Sequence, residues 1–323
     1  NPWATLKSTV LFMASGPFIF ITTMYLFKSK RSQEVFLWMA SLAALCLCFW
    51  GIFEYRYLGR VHLYSENPLP AGASLILLSA SPMILLIRER STFLRLLLIF
   101  SLIFSLLIII LLAKKGPVLG LIIMLLFWVG FITRGRLKLL LGIALLAGCV
   151  LLISKSPFPK YKHFYELGAS FQIRLENYLF SSQVFKENAV WGAGFHADLT
   201  RNLDDYAPKL FAKGLEYQYK GHFQTYNTFE NIFIAFLVEM GGLFSITYFG
   251  GVAYLLIVFF KKFRAPPQKN LAGILTISVM AGFAFISCTF DTLRFPNLNW
   301  LFHSLLGLMV NLQNSGGNRS EPS

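Results

Sequence analysis

The sequence is poor in charge. Asp, Glu, Lys and Arg together make up 14 % of 323 residues, where a soluble domain carries about 25 %. That shortfall excludes an ordinary water-soluble globule. Acids are the scarcer sign, 15 against 29 basic residues, and no carboxylate cluster suited to a divalent cation is seen. Only four cysteines occur, Cys46, Cys48, Cys149 and Cys288, all inside apolar runs. They form neither a zinc spacing nor a disulfide framework and read as packing residues. The loop histidines His196 and His222 have no metal-like spacing, and Trp191-Gly192-Ala193-Gly194-Phe195 lacks the Lys-Ser/Thr of a phosphate loop. No metal and no cofactor are therefore expected. There is no internal repeat and no cleavable signal peptide, and the chain starts at Asn1. It is expected to be a piece of a longer chain with further N-terminal spans.

What is present is apolar length. Hydrophobic residues make up 56 % of the chain and the mean hydropathy is +0.60, the signature of a multi-span membrane protein. Runs long enough to cross a bilayer lie at about 8–27, 35–53, 70–87, 96–113, 117–133, 138–154, 231–260, 271–290 and 298–313. Only helices satisfy their own backbone in lipid. The expected fold is therefore all-α, a polytopic bundle of about nine transmembrane helices with one large external loop containing amphipathic helices.

Alternate loops differ in charge. Lys28, Lys30 and Arg31, then Arg88, Arg90 and Arg95, then Arg134, Arg136 and Lys138, then Lys261, Lys262, Arg264 and Lys269 fall on one side. The short segments of the other side hold Lys7, Arg56, Arg60, Lys114, Lys115 and Arg294. Basic residues collect in the cytoplasm, so the first residues are expected outside and the C-terminus inside. This also gives the net charge of +14 a source other than nucleic acid, which is not an expected partner. The organisation read from this pattern is spans over 1–154, an external loop over 155–226, further spans over 227–313 and a disordered cytoplasmic tail over 314–323.

The stretch from Phe171 to Gly242 holds nearly all the groups capable of chemistry. Phe171, Leu175, Tyr178, Ser182 and Phe185 recur at helical spacing, which predicts an amphipathic helix on the membrane face. Arg174, Asn177, Tyr178 and Ser181 share a neighbouring face. Arg174 is either an exposed, acid-paired arginine or a bidentate phosphate ligand. Lys114 and Lys115 sit in a short outer turn, as snorkelling anchors or as point charges for an anion. Glu230, among Asn227, Thr228 and Asn231, reads as a helix-start acid or as a general base. Glu239 lies deeper, on the opposite side of a regular helix from Glu230, and either caps a break or is a functional intramembrane acid. His222 is the reserve base, eight residues from Glu230. The run 231–260 would span about 45 Å as one helix, more than a ~30 Å hydrocarbon core, so a tilt or a break at Gly241-Gly242 is expected.

Four features in order carry a resemblance. Asn67-Pro68 opens a span and Lys115-Gly116 makes a basic-Gly turn between two spans. Arg174 is followed by Trp191 and Gly192-Ala193-Gly194-Phe195, and Glu230-Asn231 leads to Glu239-Met240-Gly241. From about residue 55 onward the chain resembles the O-antigen ligase and polymerase superfamily, whose members process glycans on a lipid carrier outside the inner membrane. The resemblance implies a bacterial inner-membrane enzyme whose site faces the periplasm or cell exterior. Its donor would be a polyprenyl-diphosphate-linked glycan and its acceptor a glycan or lipid. In this reading Glu230, Arg174 and His222 are catalytic, and Lys114, Lys115, Arg60, Tyr178 and Asn231 contact substrate. The family often has Ser-Arg-Gly where this chain has Lys114-Lys115-Gly116, and its ligases often have His-Asn where this chain has Glu230-Asn231. The second departure favours a polymerase over a ligase. A non-enzymatic flippase would carry ionisable groups at the bilayer midplane, and Glu239 alone meets that description.

Overall fold

Asn67 and Pro68 start the helix around which the others pack. The Asn67 side chain accepts the N–H of Leu69, and Pro68 occupies the first helical position, where its missing N–H costs nothing. The computed structural model describes residues 2–64, 67–112, 114–132, 167–197, 199, 229–263 and 271–315, and the elements are numbered over these. They are α1 (Pro2–Ser15), α2 (Pro17–Leu26), α3 (Lys30–Leu58), α4 (Pro68–Arg88), α5 (Thr92–Leu111), α6 (Lys115–Ile132), α7 (Leu167–Glu187), α8 (Ile232–Phe263), α9 (Leu271–Ser287) and α10 (Pro296–Ser315). A 3-10 turn, Thr292–Arg294, joins the last two. Every described element is a helix, as expected.

Helix α4 is buried along nearly its whole length. Its sides are covered by α3, α5, α6, α9 and α10, so the centre of this membrane protein is a helix rather than a lipid-facing span. Helices α6 and α9 approach closely where Gly120 faces Gly282. A Cβ at Gly282 would sit 2.6 Å from the Gly120 carbonyl oxygen, the small-residue contact that lets apolar helices meet backbone to backbone.

Five described helices are long and apolar enough to cross a membrane: Thr5–Leu26 (α1 and α2 together), Lys30–Leu58, Pro68–Arg88, Thr92–Leu111 and Ile232–Lys261. Two shorter apolar helices, Lys115–Gly130 and Leu271–Ser287, match the runs expected at 117–133 and 271–290. The run expected at 298–313 is α10, whose Asn299, His303 and Asn311 are buried and lower its hydropathy. Each has a partner on another helix. Asn299 donates to the Phe12 carbonyl at 2.9 Å, Asn311 to the Met24 carbonyl at 3.2 Å, and His303 shares a hydrogen bond with the Tyr248 hydroxyl at 3.0 Å. The span expected at 138–154, most of the loop 155–226 and the tail from 316 lie outside the described residues.

Several connections meet at one end of the bundle: Gly116 lies against Thr289, Asp291 accepts from the turn at 229–231, and Asn297 donates to Tyr64. This end carries the candidate site.

Candidate functional site

Helix α7 is amphipathic, but its buried stripe differs from the expected one. Asn177, Phe180, Ser181 and Val184 are buried, whereas Leu175 and Tyr178 are exposed. The reason is a partner that periodicity does not reveal: α7 packs on α8. Phe180 and Val184 join Phe229, Ala235 and Val238 in a separate apolar cluster, with the Phe180 and Phe229 rings stacked at 6.3 Å. The face at Arg174, Asn177 and Ser181, read as polar, is largely the docking face. Arg174, one turn before Asn177, is thereby carried to the start of α8.

There it meets Glu230. Arg174 Nε lies 3.4 Å from Glu230 Oε2, with both side chains partly exposed, at 37 % and 27 %. Glu230 is not in the helix: its φ is 53°, and α8 begins at Ile232. The start of α8 is capped by Asn231, whose Oδ1 accepts the N–H of Phe233 at 3.0 Å and of Ile234 at 3.3 Å. The capping role considered for Glu230 thus belongs to its neighbour, and Asn231, expected among the substrate contacts, has its carbonyl oxygen committed to the cap.

Behind the pair is a buried network. Arg294 Nη2 lies 2.9 Å from Glu239 Oε1, and Arg294 Nη1 lies 3.2 Å from Asp291 Oδ2. Asp291 also accepts the N–H of Asn231 at 2.7 Å and of Phe229 at 3.3 Å. Glu239 Oε2 accepts the N–H of His196 at 2.9 Å. Burial opposes a charge on Arg294, but the two carboxylates outweigh it and hold the guanidinium protonated above its usual range. Burial, and then the Arg294 charge, push the His196 ring down to about 4, so it is neutral near pH 7. Glu239 is therefore neither the cap of the break nor exposed to a substrate.

Helix α8 does break where expected. Gly241 has φ 77° and ψ 168°, and the segment after α7 is clasped against the break. Ala193 donates to the Val238 carbonyl and Gly194 to the Glu239 carbonyl, each at 2.8 Å, and Gly242 donates to the Ala189 carbonyl at 2.7 Å. The glycines of Trp191-Gly192-Ala193-Gly194-Phe195 serve this clasp. A Cβ at Gly192 would overlap the Glu239 carbonyl oxygen. Trp191 itself is exposed and Phe195 packs on Phe12 and Phe236.

The other expected residues described lie at this end of the bundle. Tyr178 is on α7, one turn from Arg174. Arg60 is exposed in the connection between α3 and α4. Lys114 is exposed, and Lys115 is the first residue of α6. The adjacent Gly116 lies against the turn that carries Asp291, since a Cβ there would sit 2.6 Å from Thr289 Oγ1. His222 lies outside the described residues. Among the described residues no group of three or more His, Cys, Asp or Glu is placed to hold a metal ion.

Sequence reasoning missed Asp291 as a participant and saw in Arg294 only one charge of the sparse side. The available signal was isolation: these two are the only Asp, Glu, Lys or Arg between Leu271 and Ser315. A lone opposite-charge pair three residues apart between apolar helices is better satisfied in the protein than in lipid.

On the far side of the same turn, a cavity of about 690 Å³ opens between α3, α4 and α10. Its walls include Phe36, Met39, Leu47, Leu78 and Trp300. Its polar rim is a chain of hydrogen bonds from Asn297 Nδ2 to the Tyr64 hydroxyl at 2.8 Å, and between that hydroxyl and Ser74 at 2.7 Å.

No curated protein matches the chain. Residues 98–249, which contain Lys115, Arg174, Glu230 and Glu239, match the family model described as O-antigen ligase. Over that segment, just under half of its length, this membrane protein is similar to the O-antigen ligase and polymerase superfamily, whose members are glycan-transfer enzymes acting on lipid-linked glycans.

Proposed function

We propose that the protein polymerises polyprenyl-diphosphate-linked oligosaccharide repeat units into a cell-surface polysaccharide, on the outer face of the bacterial inner membrane, without a metal ion. The observation that carries this reading is the meeting of Arg174 and Glu230, 56 residues apart in sequence. A cation for the leaving group and a base for the incoming group are the two parts that glycosyl transfer from a diphosphate needs.

In the reaction the acceptor hydroxyl oxygen attacks the anomeric carbon of the donor sugar. The bond from that carbon to the diphosphate oxygen breaks, and the acceptor proton passes to Glu230. Negative charge grows on the departing oxygen. Fixed cations stabilise it most where water is scarce, and Arg174 is suited by its planar fork. Lys115 adds a point charge at the first turn of α6, where free N–H groups of a helix start also favour an anion. Arg174 and Glu230 hold each other until the diphosphate takes the guanidinium and leaves the carboxylate to the acceptor. A positioned base is worth about 10²–10⁴ in rate, with His222 as the reserve for that role. Arg60, Lys114 and Tyr178 line the approach at the same end, and Asn231 sets the turn. The apolar cavity beside α10 accommodates the isoprenoid chain.

Ligation to a lipid or protein acceptor is the second reading, favoured by the family description itself. Glu230 in place of the histidine common in ligases favours polymerisation. Glycan analysis of a deletion strain separates the two. A polymerase deletion leaves acceptors carrying single repeat units, whereas long polymer accumulating on the lipid carrier identifies a ligase and refutes the proposal.

A further inference from the structure

Three non-glycine residues among those described have a positive φ: Leu63, His196 and Glu230. Side chains leave that region readily, so each needs something to hold it. In all three cases the holder is a carboxylate that accepts backbone N–H groups of the turn. Glu54 Oε2 takes those of His62 and Leu63, both at 2.7 Å. Glu239 takes that of His196 at 2.9 Å. Asp291 takes the two that flank Glu230, from Phe229 and Asn231.

The last two holders are joined. One guanidinium nitrogen of Arg294 grips Glu239 and another grips Asp291, and the side chain is only 8 % exposed. We propose that Arg294 is a positioning residue for the Arg174–Glu230 site: through Asp291 and Glu239 it locks the turns at Glu230 and His196 together and thereby fixes where the Glu230 carboxylate stands. The consequence for catalysis rests on the reading of Glu230 as the base; the locking itself does not. Asp291 and Arg294 lie beyond the segment matched by the family model, which ends at residue 249. The device is therefore assigned on the geometry of this chain alone.

The geometry dictates which variants are informative. Arg294→Lys keeps the charge but offers one nitrogen where two are in use, so it cannot serve both carboxylates equally. Asp291→Asn keeps the shape of the side chain but replaces one of its two accepting oxygens with a donor, and it leaves Glu239 and His196 untouched.

Backbone hydrogen exchange of the full chain in lipid nanodiscs, followed by mass spectrometry, reads the lock without any activity. Arg294→Lys is expected to speed exchange by about tenfold both at 229–231 and at His196, the loss of a hydrogen bond to a charged group at each. Asp291→Asn is expected to speed only 229–231. The amides at His62 and Leu63, held by Glu54, serve as the unchanged internal standard. If Arg294→Lys leaves either segment at the wild-type rate, there is no shared lock and the proposal is overturned.

Turnover then tests the positioning role. A displaced base lowers kcat by about 100-fold in Asp291→Asn while KM for the lipid-linked donor stays within about twofold. Adding Asp291→Asn to Glu230→Gln should cause little further loss, because positioning no longer matters once the base is gone. Multiplying losses would mean that Asp291 acts independently of Glu230 and would refute the positioning role. Should Glu230→Gln alone prove fully active, the base reading fails while the exchange data still decide the lock.

Discussion

At Glu230 a single backbone angle, φ 53°, turns the side chain out of line with the helix that starts two residues later and toward Arg174. A residue in the left-handed region costs about 1–2 kcal/mol, and Asp291 offsets this by accepting the N–H on either side. The same logic holds at His196, whose φ is 56° and whose ring is held near a pKa of 4. In the unfolded chain that ring titrates near 6.5. Between the two values the unfolded state binds a proton that the folded state does not, so stability rises with pH through this window and the penalty is gone above it. The melting temperature should therefore fall as pH drops from 6.5 toward 4. His196→Asn, a residue that tolerates positive φ, should reduce that fall; an unchanged acid slope would show that the half-buried ring is not its source. Residue types announced Arg174 and Glu230 as candidates, but nothing in their spacing said that they meet. Asp291 stayed hidden because its work is on backbone N–H groups, which a sequence does not display.

The break in α8 shows where reading by element succeeds. Thirty apolar residues exceed a bilayer and two glycines offer a place to bend, so the kink at Gly241 was legible. Its partner was not: the clasp of 189–194 against the break depends on two backbones touching. A Cβ at Gly241 would overlap the Val190 carbonyl oxygen and require φ 77° of a non-glycine residue. Gly241→Ala should therefore destabilise by on the order of 3 kcal/mol. Gly250→Ala, in the same helix with nothing within 4 Å, should stay within about 1 kcal/mol of wild type. Thermal unfolding in detergent compares them, and equal melting temperatures would remove the clasp as a stabilising contact. Helix α7 marks the opposite case. Its spacing predicted a helix correctly, but the buried face was assigned to lipid because the docking surface on α8 is formed by residues more than forty positions away.

Across the whole molecule, residues from four separate segments gather at one end of the bundle. Hydropathy made the membrane fold legible, and it did so because lipid imposes the same demand on every span. It was least informative for α10, whose buried Asn299, Asn311 and His303 hydrogen-bond to α1, α2 and α8 respectively. The central claim, that Arg174 and Glu230 together transfer a glycan from a diphosphate, is also a statement about the whole chain. It is tested most directly with the purified protein in nanodiscs supplied with polyprenyl-diphosphate-linked repeat units. Initial rates would be compared for wild type, Arg174→Lys and Glu230→Gln at matched folding. The account predicts that Glu230→Gln loses about 10²–10⁴ in kcat, and that Arg174→Lys also fails because a point charge does not replace the planar fork. Near wild-type polymer formation by both variants would contradict it.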